Sequence, residues 1–165
     1  MGSKAASLPA DVSRFVEDAG RLGVLRGLRA VDTAGDPDFD RIGGLAAAIL
    51  ETPVALVTLV DTDRHWFKSR LGFDERQTPT AISFCAHAIA AGDDPMVVTD
   101  ATLDPRFAGN PLVTGREHIR FYAGAPVIVA GVRVGTLCVL DRKPRAFPAD
   151  EKTAQLKTLA ELAAS

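Results

Sequence analysis

Cysteine is scarce: Cys85 and Cys138 are the two among 165 residues, and each sits in an apolar segment. So few thiols exclude the disulfide framework of small secreted domains and leave free, buried sulfur as the expectation. Charge of one sign is also lacking. The 19 Lys and Arg against 21 Asp and Glu leave a net charge of −2, without the basic footprint that nucleic-acid binders carry. No apolar run approaches the roughly 20 residues needed to cross a bilayer, Pro53 to Val60 being among the longest. The stretch from Met1 to Ser7 has no signal-peptide core, and Ala6 stands where a myristoylation pattern has Ser or Thr. These absences read as a cytoplasmic chain with neither nucleic acid nor membrane as a partner. Glycine-rich nucleotide loops, a P-loop and a His-Glu-x-x-His metal motif are missing as well.

What is present is one domain's worth of chain. An apolar content of 47% and a charged content of 24% match ordinary globular domains. From Leu8 to Val31, apolar residues at Val12, Phe15, Ala19, Leu22, Leu25 and Leu28 keep helical spacing, with a break expected near Gly20. Asp32 to Pro37 is a polar link, and Asp36-Pro37 opens a second helix that ends before Pro53. Val54 to Val60 is an almost wholly apolar strand, and Asp61 to Arg64 turns it into a second strand, His65 to Leu71.

Ala81 to Ala91 reads as a short buried helix stopped by Gly92, and Met96 to Thr99 as a short strand. The irregular stretch from Asp100 to Glu117 has Asp104-Pro105 placed to start a helical turn. Ile119 to Val129 and Val132 to Leu140 form a hairpin around Ala130-Gly131. A last helix starts at Pro148 and carries Leu156, Leu159 and Leu162. Helices at both ends of a run of strands specify the α+β class.

This order, with several local strings, resembles the GAF family of sensory domains attached to bacterial histidine kinases and nucleotide cyclases. The strings are Leu25-Arg26-Gly27-Leu28, Val31-Asp32-Thr33, Phe39-Asp40-Arg41, Trp66-Phe67-Lys68-Ser69, Ser83-Phe84-Cys85-Ala86-His87-Ala88-Ile89, Asp104-Pro105-Arg106-Phe107, Ile119 to Pro126, and Gly135-Thr136-Leu137-Cys138. The resemblance implies a GAF-like central antiparallel sheet with the terminal helices on one face. An inserted helix and loops would form a roof over a pocket on the other. It divides the chain into an N-terminal helical extension, 1–21, and the GAF domain, 22–165, whose last helix could run on into an output domain. Bilin attachment needs a Cys between Ala101 and His118, and none is there. Neither the Asn-Lys-Phe-Asp-Glu pattern of cyclic-nucleotide GAF domains nor the cysteines of free methionine sulfoxide reductases are reproduced.

The side chains leave competing readings. Cys85 and His87 are two apart on a helix and cannot meet as nucleophile and base or as metal ligands, so Cys85 reads as a small core hydrophobe. His87 reads equally as pocket lining or as a satisfied core histidine. Arg120 and Tyr122 share one strand face, opposite Ile119, Phe121, Ala123 and Ala125. Arg120 then either pairs with Asp100 or Asp104 or contacts an anion. Trp66, beside Lys68 and Arg70 on one face, reads as packed against a helix more readily than as a stacking platform.

The resulting expectation is a regulatory domain with no catalytic or metal residues and no assigned cofactor. It would bind an unidentified small molecule through Phe84, His87, Asp100, Phe107, Asn110, Arg120 and Tyr122, or relay a signal. Its partners would be a second copy joined through the terminal helices and a kinase or cyclase output domain. The alternatives are a ligand-free dimerisation module and a thiol redox enzyme or sensor using Cys85 or Cys138.

Overall fold

The computed structural model describes residues 8–30, 33–80 and 83–165. Seven residues of the expected extension, Val31 and Asp32 of the expected first helix and link, and Ala81 and Ile82 at the head of the expected inserted helix lie outside that set. Among the described residues six strands form one antiparallel sheet: β1 (Val54–Val60), β2 (Arg64–Leu71), β3 (Gln77–Pro79), β4 (Met96–Val98), β5 (Phe121–Val129) and β6 (Val132–Asp141). Their order across the sheet is β3-β2-β1-β6-β5-β4. β1 lies at the centre and every one of its residues is buried, which is why its sequence is a continuous apolar run and not an alternating one.

Helices α2 (Ala19–Gly27), α3 (Pro37–Leu50) and α6 (Asp150–Ala164) cover one face through Leu22, Leu25, Ala46, Leu50, Leu156 and Leu159. Leu162 points away and is 55% exposed, so the spacing of three carries only part of the leucine stripe inward. The other face is roofed by α1 (Ala10–Val16), α4 (Phe84–Ala91), a 3₁₀ turn at Ala101–Leu103 and α5 (Pro111–Thr114). α3 begins with Asp36 accepting the amide of Asp38 and Pro37 at its first position, the start its sequence specifies.

The first apolar stripe, read as one helix, is cut in two. The break falls at Glu17 and Asp18, not at Gly20, because the Asp18 carboxylate caps α2 by accepting the amide of Arg21. Val12 and Val16 of α1 consequently join the roof-side core, while Leu22 and Leu25 of α2 join the opposite one. Arg21 clamps this crossing. Its side chain is nearly buried and donates to Val16 O from Nε and Nη2 at 3.0 and 2.7 Å, and from Nη2 to Val60 O at 2.7 Å. Burial lowers its pKa to about 10, against the raising effect of Asp61 and Asp18.

Asp104-Pro105 makes a single turn over residues 105–109, with Asp104 Oδ1 accepting the amide of Arg106 and Asp104 O that of Ala108; a short helix opens next at Asn110-Pro111, where Asn110 Oδ1 accepts the amide of Leu112. The last helix starts two residues after Pro148, at Asp150.

In the hairpin joining β5 and β6, Ala130 and Gly131 have φ of 52° and 74°, the pair of left-handed conformations that a two-residue turn demands. Gly131 adopts it freely, whereas Ala130 is held there at a cost of about 1–2 kcal/mol. Ala130→Gly should therefore stabilise the protein, by about 0.5–1 kcal/mol once glycine's extra unfolded-state entropy is subtracted. The gain should appear as a melting temperature raised by about 2 °C in calorimetry.

Candidate functional site

On the roof face, Phe84 stacks on Phe107 with ring centroids 4.2 Å apart, and Tyr122 leans against Phe84 at 5.3 Å. All three are buried. His87 meets the edge of Phe107 at 4.9 Å; burial, and then Arg106, lower its pKa. His87 is thus buried against Phe107 in the roof, a packing contact that belongs to the core reading of its sequence. These rings fill the space expected for a ligand: the remaining cavity is about 30 Å³, lined by residues including His65, Phe73, Thr78, Phe84, Cys85 and Cys138. A volume of that size takes one or two waters.

The polar candidates serve the backbone. Asp100 Oδ1 accepts from the amide and hydroxyl of Thr102 at 3.0 and 2.6 Å, capping the 3₁₀ turn. Asn110 caps α5. Arg120 pairs with neither Asp100 nor Asp104, contrary to the expected ion pair. Its Nη1 donates to Val113 O at 2.9 Å and Ile119 O at 3.0 Å, and Nη2 lies 3.2 Å from His118 Nδ1. Asp104 is taken by Arg106 at 2.7 and 3.0 Å. Ile119, assigned to the face opposite Tyr122, shares the roof-side core with it, because the strand begins only at Phe121.

Tyr122 reaches across the sheet to Cys85. Its hydroxyl donates to Cys85 Sγ at 3.2 Å, Thr136 Oγ1 donates to the same sulfur at 3.0 Å, and Cys138 Sγ lies 3.8 Å away. Gly124 permits the reach: a Cβ there would stand 2.2 Å from the Tyr122 hydroxyl. Burial pushes the Cys85 thiol up, but hydrogen bonds from Cys138, Thr136, Tyr122 and Thr58 outweigh it and bring its pKa down to about 7. Burial raises Cys138 well above its ordinary value. The expected free, buried thiols are found, but Cys85 has polar neighbours that its apolar local sequence does not announce. No helix among the described residues is long and apolar enough to cross a membrane, and those residues contain no group of three or more His, Cys, Asp or Glu that could hold a metal.

Larger clefts lie elsewhere. One of about 640 Å³ runs between Phe15, Arg21 and Arg133 and includes none of the seven candidate residues. One of about 440 Å³ lies outside the roof along Leu103, Asp104 and Arg106 and includes Asp100. Another of about 440 Å³ is bordered by Asp40, Trp66, Lys68, Arg70 and Arg76. Trp66 packs on the helix-face core as expected. A bulge in the β1–β2 register alters its neighbours: Ser69 donates to Asp40 of α3 at 2.6 Å, while Arg70 turns to Phe73 O and Asp74 O.

The GAF domain family profile matches residues 19–165. This chain belongs to the GAF family. A relative of this GAF domain, the cyclic di-GMP phosphodiesterase PA2567 of Pseudomonas aeruginosa, is 46% identical over 136 residues, 82% of this chain and 23% of that protein. The chain thus spans less than a quarter of the relative's length. Among solved structures, the GAF domain of a Coxiella burnetii phosphoenolpyruvate-protein phosphotransferase superposes with a TM-score of 0.63 at 18% identity, covering 87% of this chain and 90% of that one. A domain of a putative two-component sensor histidine kinase from Sinorhizobium meliloti 1021 gives 0.56 at 16%, covering 76% and 86%. These structures share its fold, and the family is one of sensory and signalling proteins.

Two outcomes follow from this geometry. Arg120→Ala should lower stability with no ligand present, by about 1–2 kcal/mol, because two carbonyls lose their donor; urea unfolding measures it. His65 is buried with Nε2 unpaired, and burial, then Arg21, lower its pKa to about 3. The unfolded chain takes up this proton first, near pH 6.5, so stability is complete above that value and declines as pH falls toward 3. Between about pH 7.5 and 5.5 the His65 contribution should fall by about 1.4 kcal/mol, and His65→Gln should remove that part of the slope in urea unfolding.

Proposed function

We propose that this GAF domain is a regulatory module of a bacterial signalling protein, without catalysis of its own. It takes an input at the roof and passes it through the helix face to an output partner of the kinase, cyclase or phosphodiesterase kind. The observation that supports this most directly is the alternation along β5. Tyr122 belongs to the roof-side core, whereas Phe121 and Ala123 belong to the core shared with α6. A displacement of α4 or Phe107 must move strands on which α6 rests, because a close-packed core does not absorb it.

In this reading a small molecule enters when the Phe84–Phe107 stack parts, and it contacts Phe84, His87, Asp100, Phe107, Asn110, Arg120 and Tyr122. The module works in the cytoplasm, with 22–165 as its GAF unit. The phosphodiesterase relative motivates that class of output; the ligand is a separate question. A second reading, a ligand-free dimerisation module, is favoured by Leu45 on α3 and Leu162 on α6, 54% and 55% exposed. The occupant of that face would be a second copy of the chain, and light scattering that finds a monomer at high micromolar concentration overturns it.

Phe107→Ala tests the relay. Hydrogen exchange should quicken both in the roof and across residues 156–163 of α6; quickening confined to the roof refutes the coupling. Thermal-shift measurements with cyclic di-GMP, cyclic GMP and cyclic AMP test the input. A probe present at a hundred times its Kd stabilises by about 2.7 kcal/mol and should raise Tm by about 5 °C or more.

A further inference from the structure

The contact between α4 and the sheet contains two thiols that the relay does not use. We propose that Cys85 and Cys138 form an oxidation site for hydrogen peroxide, closing to a disulfide that ties α4 to β6. The inference stands on the thiol geometry and is independent of what the roof binds or where α6 leads.

The two sulfurs lie 3.8 Å apart, brought together from 53 residues apart in sequence. A disulfide requires about 2.05 Å, an approach of under 2 Å that side-chain rotation and a small shift of α4 supply. Cys85 is the attacking partner. It is the second residue of α4, after the Ser83 cap and Phe84, so its sulfur lies near the positive end of the helix dipole. Thr136 and Tyr122 aim hydroxyl protons at it at 3.0 and 3.2 Å, which favours the thiolate; together with the Cys138 thiol, the largest favourable contribution, they bring its pKa to about 7 against the effect of burial. Cys138 is the resolving partner: Thr136 and Thr58, the latter at 4.0 Å, favour its ionisation, but burial and then the neighbouring Cys85 sulfur outweigh them and keep its thiol protonated. One ionised and one protonated thiol at this separation make an attacking and resolving pair.

The cavity selects the oxidant. Both cysteines line a space of about 30 Å³, which takes a molecule of one or two oxygen atoms and excludes a tripeptide disulfide. The Cys85 thiolate attacks one peroxide oxygen and the O–O bond breaks. The departing hydroxide takes the proton released when Cys85 ionised, leaving water and a sulfenic acid. Cys138 sulfur then attacks Cys85 sulfur: the S–S bond forms, the S–O bond breaks, and the second hydroxide leaves as water with the Cys138 proton. The two thiols lose two electrons and the peroxide gains them.

Hydrogen peroxide applied to the reduced chain, followed by alkylation in urea and non-reducing peptide mass spectrometry, tests this directly. The expected product is monomeric, lighter by two hydrogens, with the Cys85 and Cys138 peptides linked and released by dithiothreitol, and with a Tm raised by several degrees. Glutathione disulfide should give no adduct on the folded chain. Cys138→Ser should accumulate a sulfenic acid at Cys85 that dimedone traps when the oxidised chain is opened in urea, and Cys85→Ser, treated alike, should give no dimedone adduct at Cys138. Tyr122→Phe keeps the ring and removes one donor. A pKa rise of about one unit cuts the thiolate at neutral pH, and hence the oxidation rate, by about fivefold; an unchanged rate would show that the hydroxyl serves packing only and would remove the assigned activation. If both cysteines remain alkylatable after a dose that consumes N-acetylcysteine in the same tube, or if the linkage is only intermolecular, the proposal is overturned. Oxidation of the wild-type chain decides between these outcomes even where a Cys variant fails to fold.

Discussion

A sheet dehydrated on both faces must satisfy its polar groups without water, and the rest of this fold follows from that constraint. β1 is buried from end to end, so the carbonyl where it leaves the sheet, Val60 O, has to find a donor inside the protein. Arg21 supplies it and satisfies the end of α1 with the same guanidinium. Burying that charge is costly, and the depressed pKa records the cost, but the group stays ionised at every physiological pH and so remains a fixed clamp. Its position where the chain crosses from one face to the other explains why two short helices, neither of which would persist alone, hold their places.

The same constraint shapes the roof. Thr136 is fully buried on β6, and its hydroxyl finds the Cys85 sulfur where backbone partners are already used. Tyr122, one of the largest fully buried side chains, settles its hydroxyl on the same atom. The polar demand of two strands thus converges on one thiol, and an otherwise apolar core acquires a chemically distinct point.

The order of the elements was legible because strands and helices announce themselves locally. The run from Val54 to Val60, the Asp36-Pro37 start and the Ala130-Gly131 turn are each decided by a few neighbouring residues. What was hidden depends on partners far away in the chain. No local pattern tells that Asp18 will cap a helix and divide a stripe, or that a bulge will turn Arg70 away from the face of Trp66. Arg120 was read as the mate of an aspartate because charge complementarity is visible in a sequence. The demand of the Val113 and Ile119 carbonyls is not. Four of the candidate roof residues do gather on one face, Tyr122, Phe84, Phe107 and His87 linked ring to ring in that order, but volume is a three-dimensional quantity. How completely four rings would fill that space is not written in their spacing along the chain.

The division of the first helical stripe has a mechanical meaning. α1 grips α4 on one side of the sheet, whereas α6 lies on the other side against β5. Tension applied along α1 would load the roof, and tension along α6 would load the strands beneath the helix layer. Apart from the link between α1 and α2 that Arg21 clamps, a load reaches the opposite layer through the sheet, so the domain behaves as a plate with a handle on each side, and its stiffness in bending sets how much of a pull on one handle is felt at the other.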